Sequence, residues 1–136
     1  MYGGQRFRLD AYGIYSSTAT PTLLLGAYYG GVAGTALAAT AANAVASGAA
    51  SYPWQLHLNI RVVNPPGSSG TVWCSGWAKV GSSLTAMTEY ALPSSQTMPI
   101  TINTTTANAL TVGAQWGASS ALNTITCEDA YIEALS

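Results

Sequence analysis

The stretch from Tyr52 to Val63 alternates apolar and polar side chains, and this pattern constrains the fold more than any other feature of the chain. A period of two places successive side chains on opposite faces of a β-strand. The stretch therefore predicts an antiparallel strand with one buried face and one solvated face. The apolar face carries Trp54, Leu56, Leu58, Ile60 and Val62, and the polar face carries Gln55, His57, Asn59 and Arg61.

Similar stretches separated by turn residues recur along the whole chain, and they predict an all-β protein. The segment from Thr35 to Ala49 is rich in alanine, and we interpret it as strand or loop, with a short helix as the alternative. The predicted fold is a single jelly-roll-like antiparallel β-sandwich of about seven or eight strands, forming one domain over residues 1–136. The other predicted strands are residues 6–11, Thr22 to Tyr29, Thr71 to Val80, Pro99 to Asn103, Leu110 to Trp116 and Asn123 to Leu135.

Charged residues make up only 7% of the chain, whereas an ordinary soluble domain contains roughly 25%. Four cations cannot form the basic stripe of a nucleic-acid-binding protein. The longest apolar tract, Val32 to Ala50, is interrupted by glycines and polar residues, so we expect no membrane-spanning helix and no membrane partner. No signal peptide is visible at the N-terminus. A protein surface with few charged residues and a net charge near zero favours association with other proteins. We therefore expect much of the surface of this chain to be covered in an assembly.

Titratable residues do not form a recognisable catalytic or metal-binding pattern in the sequence. His57, the only histidine, lacks the partners of a serine or cysteine nucleophile, so we expect a solvated or interface histidine. Alternation places Glu128 opposite to Asp129 and Glu133 on the last strand. We interpret these acids as solubilising charge that protects an edge strand. The alternatives are a carboxylate pair with Asp10 or Glu89, or a calcium site built on Glu128 and Asp129. We expect no enzymatic activity, cofactor or metal.

The two cysteines, Cys74 and Cys127, match no metal-binding spacing. We interpret both as small buried thiols. A disulfide between neighbouring strands is the alternative, and it would require an oxidising compartment.

Tyrosine and tryptophan account for twelve of the thirteen aromatic residues, and both types are enriched at protein interfaces. The alternation from Thr71 to Val80 places Val72 and Cys74 on the core face and directs Trp73 and Trp77 outward. We predict a subunit or partner interface containing Trp73, Trp77, Tyr28 and Tyr29. The alternatives for the two tryptophans are a core position, if the faces are reversed, and a platform for stacking sugar rings.

Several blocks of sequence resemble structural proteins of tailed bacteriophages. The resemblance is carried by Tyr28-Tyr29-Gly30-Gly31-Val32, by Tyr52-Pro53-Trp54 and by Gly70-Thr71-Val72-Trp73. It continues through the C-terminal blocks Ile102 to Leu110, Trp116-Gly117-Ala118 and Asn123 to Cys127. The order of these blocks is similar to that in the jelly-roll-like domains of phage head decoration proteins and tail-appendage proteins.

The resemblance implies a structural protein of the virion that is assembled in the cytoplasm of the bacterial host. Its first implied function is that of a capsid decoration (cement) protein, which binds the major capsid protein as a homotrimer and stabilises the head. The alternative is a tail-fibre or appendage module that binds a glycan of the host surface.

Overall fold

A computed structural model describes residues 2–135, and these residues form β-strands and connecting loops without helices. None of the described segments is a helix that could span a membrane. The ten strands are β1 (Arg6–Ser16), β2 (Thr22–Tyr29), β3 (Thr35–Ala39), β4 (Asn43–Ala44), β5 (Tyr52–Asn64), β6 (Gly70–Gly81), β7 (Met87–Leu92), β8 (Ile100–Ile102), β9 (Leu110–Trp116) and β10 (Thr124–Ala134).

The strands form two antiparallel sheets, which confirms the predicted all-β sandwich. The larger sheet has six strands in the order β10-β1-β5-β6-β7, and β8 pairs with the first residues of β6 beyond the end of β7. The smaller sheet has four strands, in which β2 pairs with β9 on one side and with β3 and β4 on the other.

The structure has more strands than the alternation predicts. The segment Thr35 to Ala49, interpreted as strand or loop, contains the two short strands β3 and β4. β7 escaped prediction because its inward face is short: Leu92 is buried, Tyr90 is partly buried against the core, and the third residue is the polar Thr88. Pairing with β6 extends this segment into a six-residue strand.

The core lies between the two sheets and contains residues from both. The apolar face of β5 is buried as predicted, with Trp54, Leu56 and Leu58 each 2% exposed or less. Leu23 and Leu25 of β2 contribute from the opposite sheet. On β6, Val72, Cys74, Ala78 and Val80 face this core, which confirms the assignment of faces on that strand.

A β-bulge in β10 changes which side chains of that strand face inward. Gly13 pairs with Cys127 and Tyr12 pairs with Asp129, so Glu128 is an additional residue opposite a continuous β1. Simple alternation places Tyr131 on the same face as Ile125 and Cys127, and this prediction is wrong. Beyond the bulge, Tyr131 pairs with Asp10 of the polar face, and Ile132 pairs with the buried Leu9.

Candidate functional site

All nine charged residues of the chain lie on strands of the six-stranded sheet. The four-stranded sheet and every connecting loop carry none. The molecule therefore has a charged side and a neutral side. This division is partly visible in the sequence, because residues 11–60 and 90–127 contain no charged residue. Those two uncharged runs are a signal that the strand-by-strand interpretation missed. The charged residues are Arg6, Arg8 and Asp10 on β1, Arg61 on β5, Lys79 on β6, Glu89 on β7, and Glu128, Asp129 and Glu133 on β10.

Three short contacts connect the charges at the centre of the outer face of the six-stranded sheet. Arg8 forms ion pairs with Glu133 at 2.6 Å and with Asp10 at 3.4 Å. The Nδ1 atom of His57 lies 2.6 Å from Oδ1 of Asp10. The negative charge of Asp10 also raises the pKa of the Tyr131 hydroxyl above its ordinary value. Because Arg8 and Glu133 are about half exposed, we expect their ion pair to stabilise the fold by at most about 1 kcal/mol.

His57 belongs to a stack of side chains on this face. Its ring stacks on that of Trp77, with a centroid distance of 5.3 Å and an interplanar angle of 26°. The Lys79 ammonium group lies 4.4 Å from the centroid of the same indole ring, a cation–π contact. These contacts fix the orientation of the imidazole ring and engage Trp77 within its own chain.

Of the four residues predicted to form an interface, Trp73 and Trp77 lie on the outer face of the six-stranded sheet, whereas Tyr28 and Tyr29 lie on the four-stranded sheet. Trp73 is 51% exposed on the outer face of the six-stranded sheet. Tyr28 lies on the outer face of the four-stranded sheet, where its ring is close to Gly113. Tyr29 packs against the core and lines a cavity between the sheets. The structure therefore does not bring these four residues together into one patch.

The side of the sandwich between β9 and β10 is open, and we call this opening the seam. The inward-facing residues of β10 are Ile125, Cys127, Ala130 and Ile132, as their pairing with β1 shows. The β5 residues in the same rows as Cys127, Ala130 and Ile132 are buried, yet these three residues are exposed, Ile132 by 50%. The two sheets therefore do not close over each other along this side.

Three adjoining cavities follow the seam. The first, of about 240 Å³, lies beside Trp54, Ile125 and Cys127. The second, of about 360 Å³, shares Cys127 with the first and extends to Ile132. The third, of about 220 Å³, shares Ile132 with the second and has an almost entirely apolar lining. Together these adjoining cavities form an apolar groove beside β10 from Ile125 to Ile132.

The seam also presents two strand edges without partners. Within the described residues, β9 pairs only with β2 and β10 pairs only with β1. The second edges of both strands therefore leave backbone N–H and C=O groups free, and such edges are templates for pairing with another chain. The edge strand β10 carries three acids, Glu128, Asp129 and Glu133. Charged side chains on an edge strand oppose unspecific pairing with other chains, which is the role predicted for these acids.

The two cysteines differ from each other in exposure, and they do not form a disulfide. Cys74 is buried on β6 as predicted, whereas Cys127 is exposed in the seam, so the prediction of two buried thiols is wrong for Cys127. β1 and β5 lie between the two cysteine strands, which separates them by roughly 14 Å at about 4.8 Å per strand. This distance rules out the alternative of a disulfide between neighbouring strands. Burial raises the pKa of the Cys74 thiol to about 12.

Alkylation of the folded, unassembled chain is expected to modify Cys127 alone. The thiolate is the reactive form of cysteine, and Cys74 is both inaccessible and kept protonated by burial. Treatment with a maleimide at neutral pH, followed by mass spectrometry, should show one adduct per chain under native conditions and two in denaturant. Two adducts under native conditions would contradict the described core.

The acids do not gather into a metal site in the described part of the chain. No group of three His, Cys, Asp or Glu side chains in residues 2–135 is arranged to hold a metal ion. Glu128 and Asp129 occupy the bulge of β10, and both are exposed. Comparison with protein-family models, curated proteins and solved structures finds no match to this chain.

Proposed function

We propose that this chain is a structural, non-enzymatic protein of a bacteriophage virion. It acts as a capsid decoration (cement) protein that binds the major capsid protein as a homotrimer and stabilises the head. On this proposal the sandwich is a variant of the jelly-roll-like domains that the sequence resembles. The protein is assembled in the bacterial cytoplasm and remains in the virion.

The seam is the observation that carries this proposal. Burial of apolar surface stabilises a fold by about 25 cal/mol per Å². A sandwich that functions as a monomer would therefore gain stability by covering the inward-facing side of the eleven-residue strand β10, and this sandwich leaves it open. Exposed apolar grooves of this extent are characteristic of surfaces that bind other proteins. Ile132 and Cys127, which line the groove, are therefore candidates for burial by a neighbouring subunit.

The neutral side of the molecule supports the same proposal. Association removes water from the contacting surfaces, and desolvation is least costly where no charged group must be buried. A typical stable interface covers roughly 800 Å² per partner, which is about 12% of the 6863 Å² surface of this chain. The outer surface of the four-stranded sheet offers a contact without any charged side chain.

In the proposed trimer the seam of one copy contacts the neutral side of the next. Such a contact joins two different surfaces, and it closes into a ring when equal rotations complete one turn, as three copies do around a threefold axis. Three copies around one axis match the threefold and quasi-threefold positions of a phage head, where capsid subunits meet. The charged outer face of the six-stranded sheet would then remain exposed to water.

Sedimentation with bare, expanded phage heads tests the proposal. The purified chain is mixed with heads at increasing concentrations, and the number of copies in the pellet is measured for each shell. We expect saturable binding at three copies per threefold or quasi-threefold position. Absence of saturable binding would contradict the capsid function and would favour the alternative of a tail-fibre or appendage module.

A further inference from the structure

Two of the four cations of the chain lie directly opposite each other. Arg6 on β1 and Arg61 on β5 are Cα partners in the antiparallel register, and both are exposed. Side chains at such positions have Cβ atoms about 4.5–5.5 Å apart, and like charges placed there repel each other. Arg6 and Arg61 thus form a repulsive pair of like charges, and this repulsion does not stabilise the fold.

The other two cations have partners, which makes the contrast informative. Arg8 pairs with Asp10 and Glu133. Lys79 stacks on Trp77 and lies opposite Glu89 in the register. Among the described residues, no acidic side chain lies within 4.0 Å of either Arg6 or Arg61. Two adjacent guanidinium groups with no acidic side chain beside them in the described part of the chain have the charge and the hydrogen-bonding geometry to hold a carboxylate.

Trp73 extends this row of residues on β6. It is the Cα partner of Arg61, and 51% of its surface is exposed. The same residues line a cleft of about 310 Å³, and Asn59 and Ser75 add polar side chains to its wall. An exposed indole provides a flat apolar surface, and the two polar side chains can bond to hydroxyl groups. The cleft therefore combines the elements that a sugar ring with an acidic group requires.

We propose that the cleft formed by Arg6, Arg61 and Trp73 binds an acidic saccharide, a sugar whose ring carries a carboxylate. The two guanidinium groups hold the carboxylate and the indole stacks on the ring, while Asn59 and Ser75 bond to its hydroxyl groups. This site lies on the charged side of the molecule. It does not depend on the capsid function, because it is on a different surface from the seam.

Calorimetric titration of the full chain with tetragalacturonate and with sialyllactose tests the proposal. The methyl esters of both sugars serve as matched ligands that retain the rings and lack the negative charge. We expect at least one acid to bind and its ester to bind at least about tenfold more weakly. Affinity should also fall as salt concentration rises, because the site is exposed. If neither acid binds, or if esters bind as well as acids, the proposal is wrong.

Variants of the row locate the binding. Arg61→Gln is expected to weaken binding of the acid about ten- to hundredfold, and Trp73→Ala is expected to weaken it about tenfold. Lys79→Gln removes an equal charge from the same sheet face outside the cleft, and it should leave the affinity unchanged. An equal loss in Lys79→Gln and Arg61→Gln would show that binding reflects general charge attraction, and it would overturn the assignment of the site.

Thermal unfolding of the same variants separates binding from folding. Because Arg61→Gln removes a like-charge contact, its unfolding midpoint without ligand should equal or exceed that of the wild-type chain. Addition of the acid should raise the midpoint of the wild-type chain and not that of the variant, since a ligand stabilises only the state that binds it. A lowered midpoint for the unliganded variant would assign Arg61 a structural role and contradict the proposal.

Discussion

Ile132→Lys is expected to abolish binding to expanded phage heads and to leave the isolated chain folded. The Ile132 side chain faces the seam and is 50% exposed, so a lysine there reaches water in the unbound chain. When copies assemble on the head, the same ammonium group would be trapped between the apolar groove and the next copy, where an unpaired charge costs several kcal/mol. We expect affinity for the heads to fall by at least about hundredfold, measured by sedimentation.

Tyr131→Lys provides a closely matched control for this experiment. Tyr131 is the adjacent residue of the same strand and is 49% exposed. It borders the second cavity of the seam, but its side chain lies on the opposite face of the sheet, against Asp10. The two variants therefore add the same charge at the same exposure on different surfaces. We expect the control to bind heads as the wild-type chain does. Equal losses in both variants, or normal binding by Ile132→Lys, would show that the seam is not the surface through which copies assemble on the head.

Trp54→Ala is expected to lower the free energy of unfolding by about 3–5 kcal/mol. Trp54 is 2% exposed and lies in the core between the sheets. Its Nε1 group also donates a hydrogen bond to the carbonyl oxygen of Thr126 at 3.1 Å. Truncation thus removes a large apolar side chain and the link from the core to β10. Urea unfolding followed by circular dichroism measures the loss.

Trp54→Phe separates the two contributions. The phenyl ring retains much of the buried apolar volume but cannot donate the hydrogen bond to Thr126, which is worth about 1 kcal/mol. We expect Trp54→Phe to lose clearly less stability than Trp54→Ala. Any loss relative to the wild-type chain beyond that of the hydrogen bond would reflect the smaller volume of the phenyl ring. If Trp54→Ala lost less than about 1 kcal/mol, the described packing of the core would be wrong.

The sequence predicts strands well where alternation coincides with burial. β5 and β6 follow this rule, since burial of one face determines which side of the sheet each residue occupies. β10 departs from simple alternation, because the additional residue Glu128 moves every later side chain of the strand to the face opposite the one that alternation predicts. Gly13 opposite the bulge is the available signal, since a side chain there would collide with the carbonyl of Thr126. A single glycine is too common to be interpreted without the pairing.

The candidate surfaces depend on strand order, and alternation within a strand does not contain that order. Arg6 and Arg61 are far apart in the sequence and become neighbours only because β1 pairs with β5. Cys127 and Val112 line one cavity because β9 and β10 border the same open side. The outward orientation of Trp73 was predictable from its own strand. Its arginine neighbours required knowledge of the sheet.

The bulge at Glu128 determines which changes in chain length β10 can accept. Removal of Glu128 would leave Cys127 opposite Gly13 and Asp129 opposite Tyr12, so each remaining side chain would keep its present face. A one-residue deletion elsewhere in the strand, outside the bulge, would move the side chains on one side of the cut to the opposite face of the sheet. In a lineage of such proteins, length variation in this strand should therefore accumulate at one position. Substitutions would account for the variation everywhere else in β10.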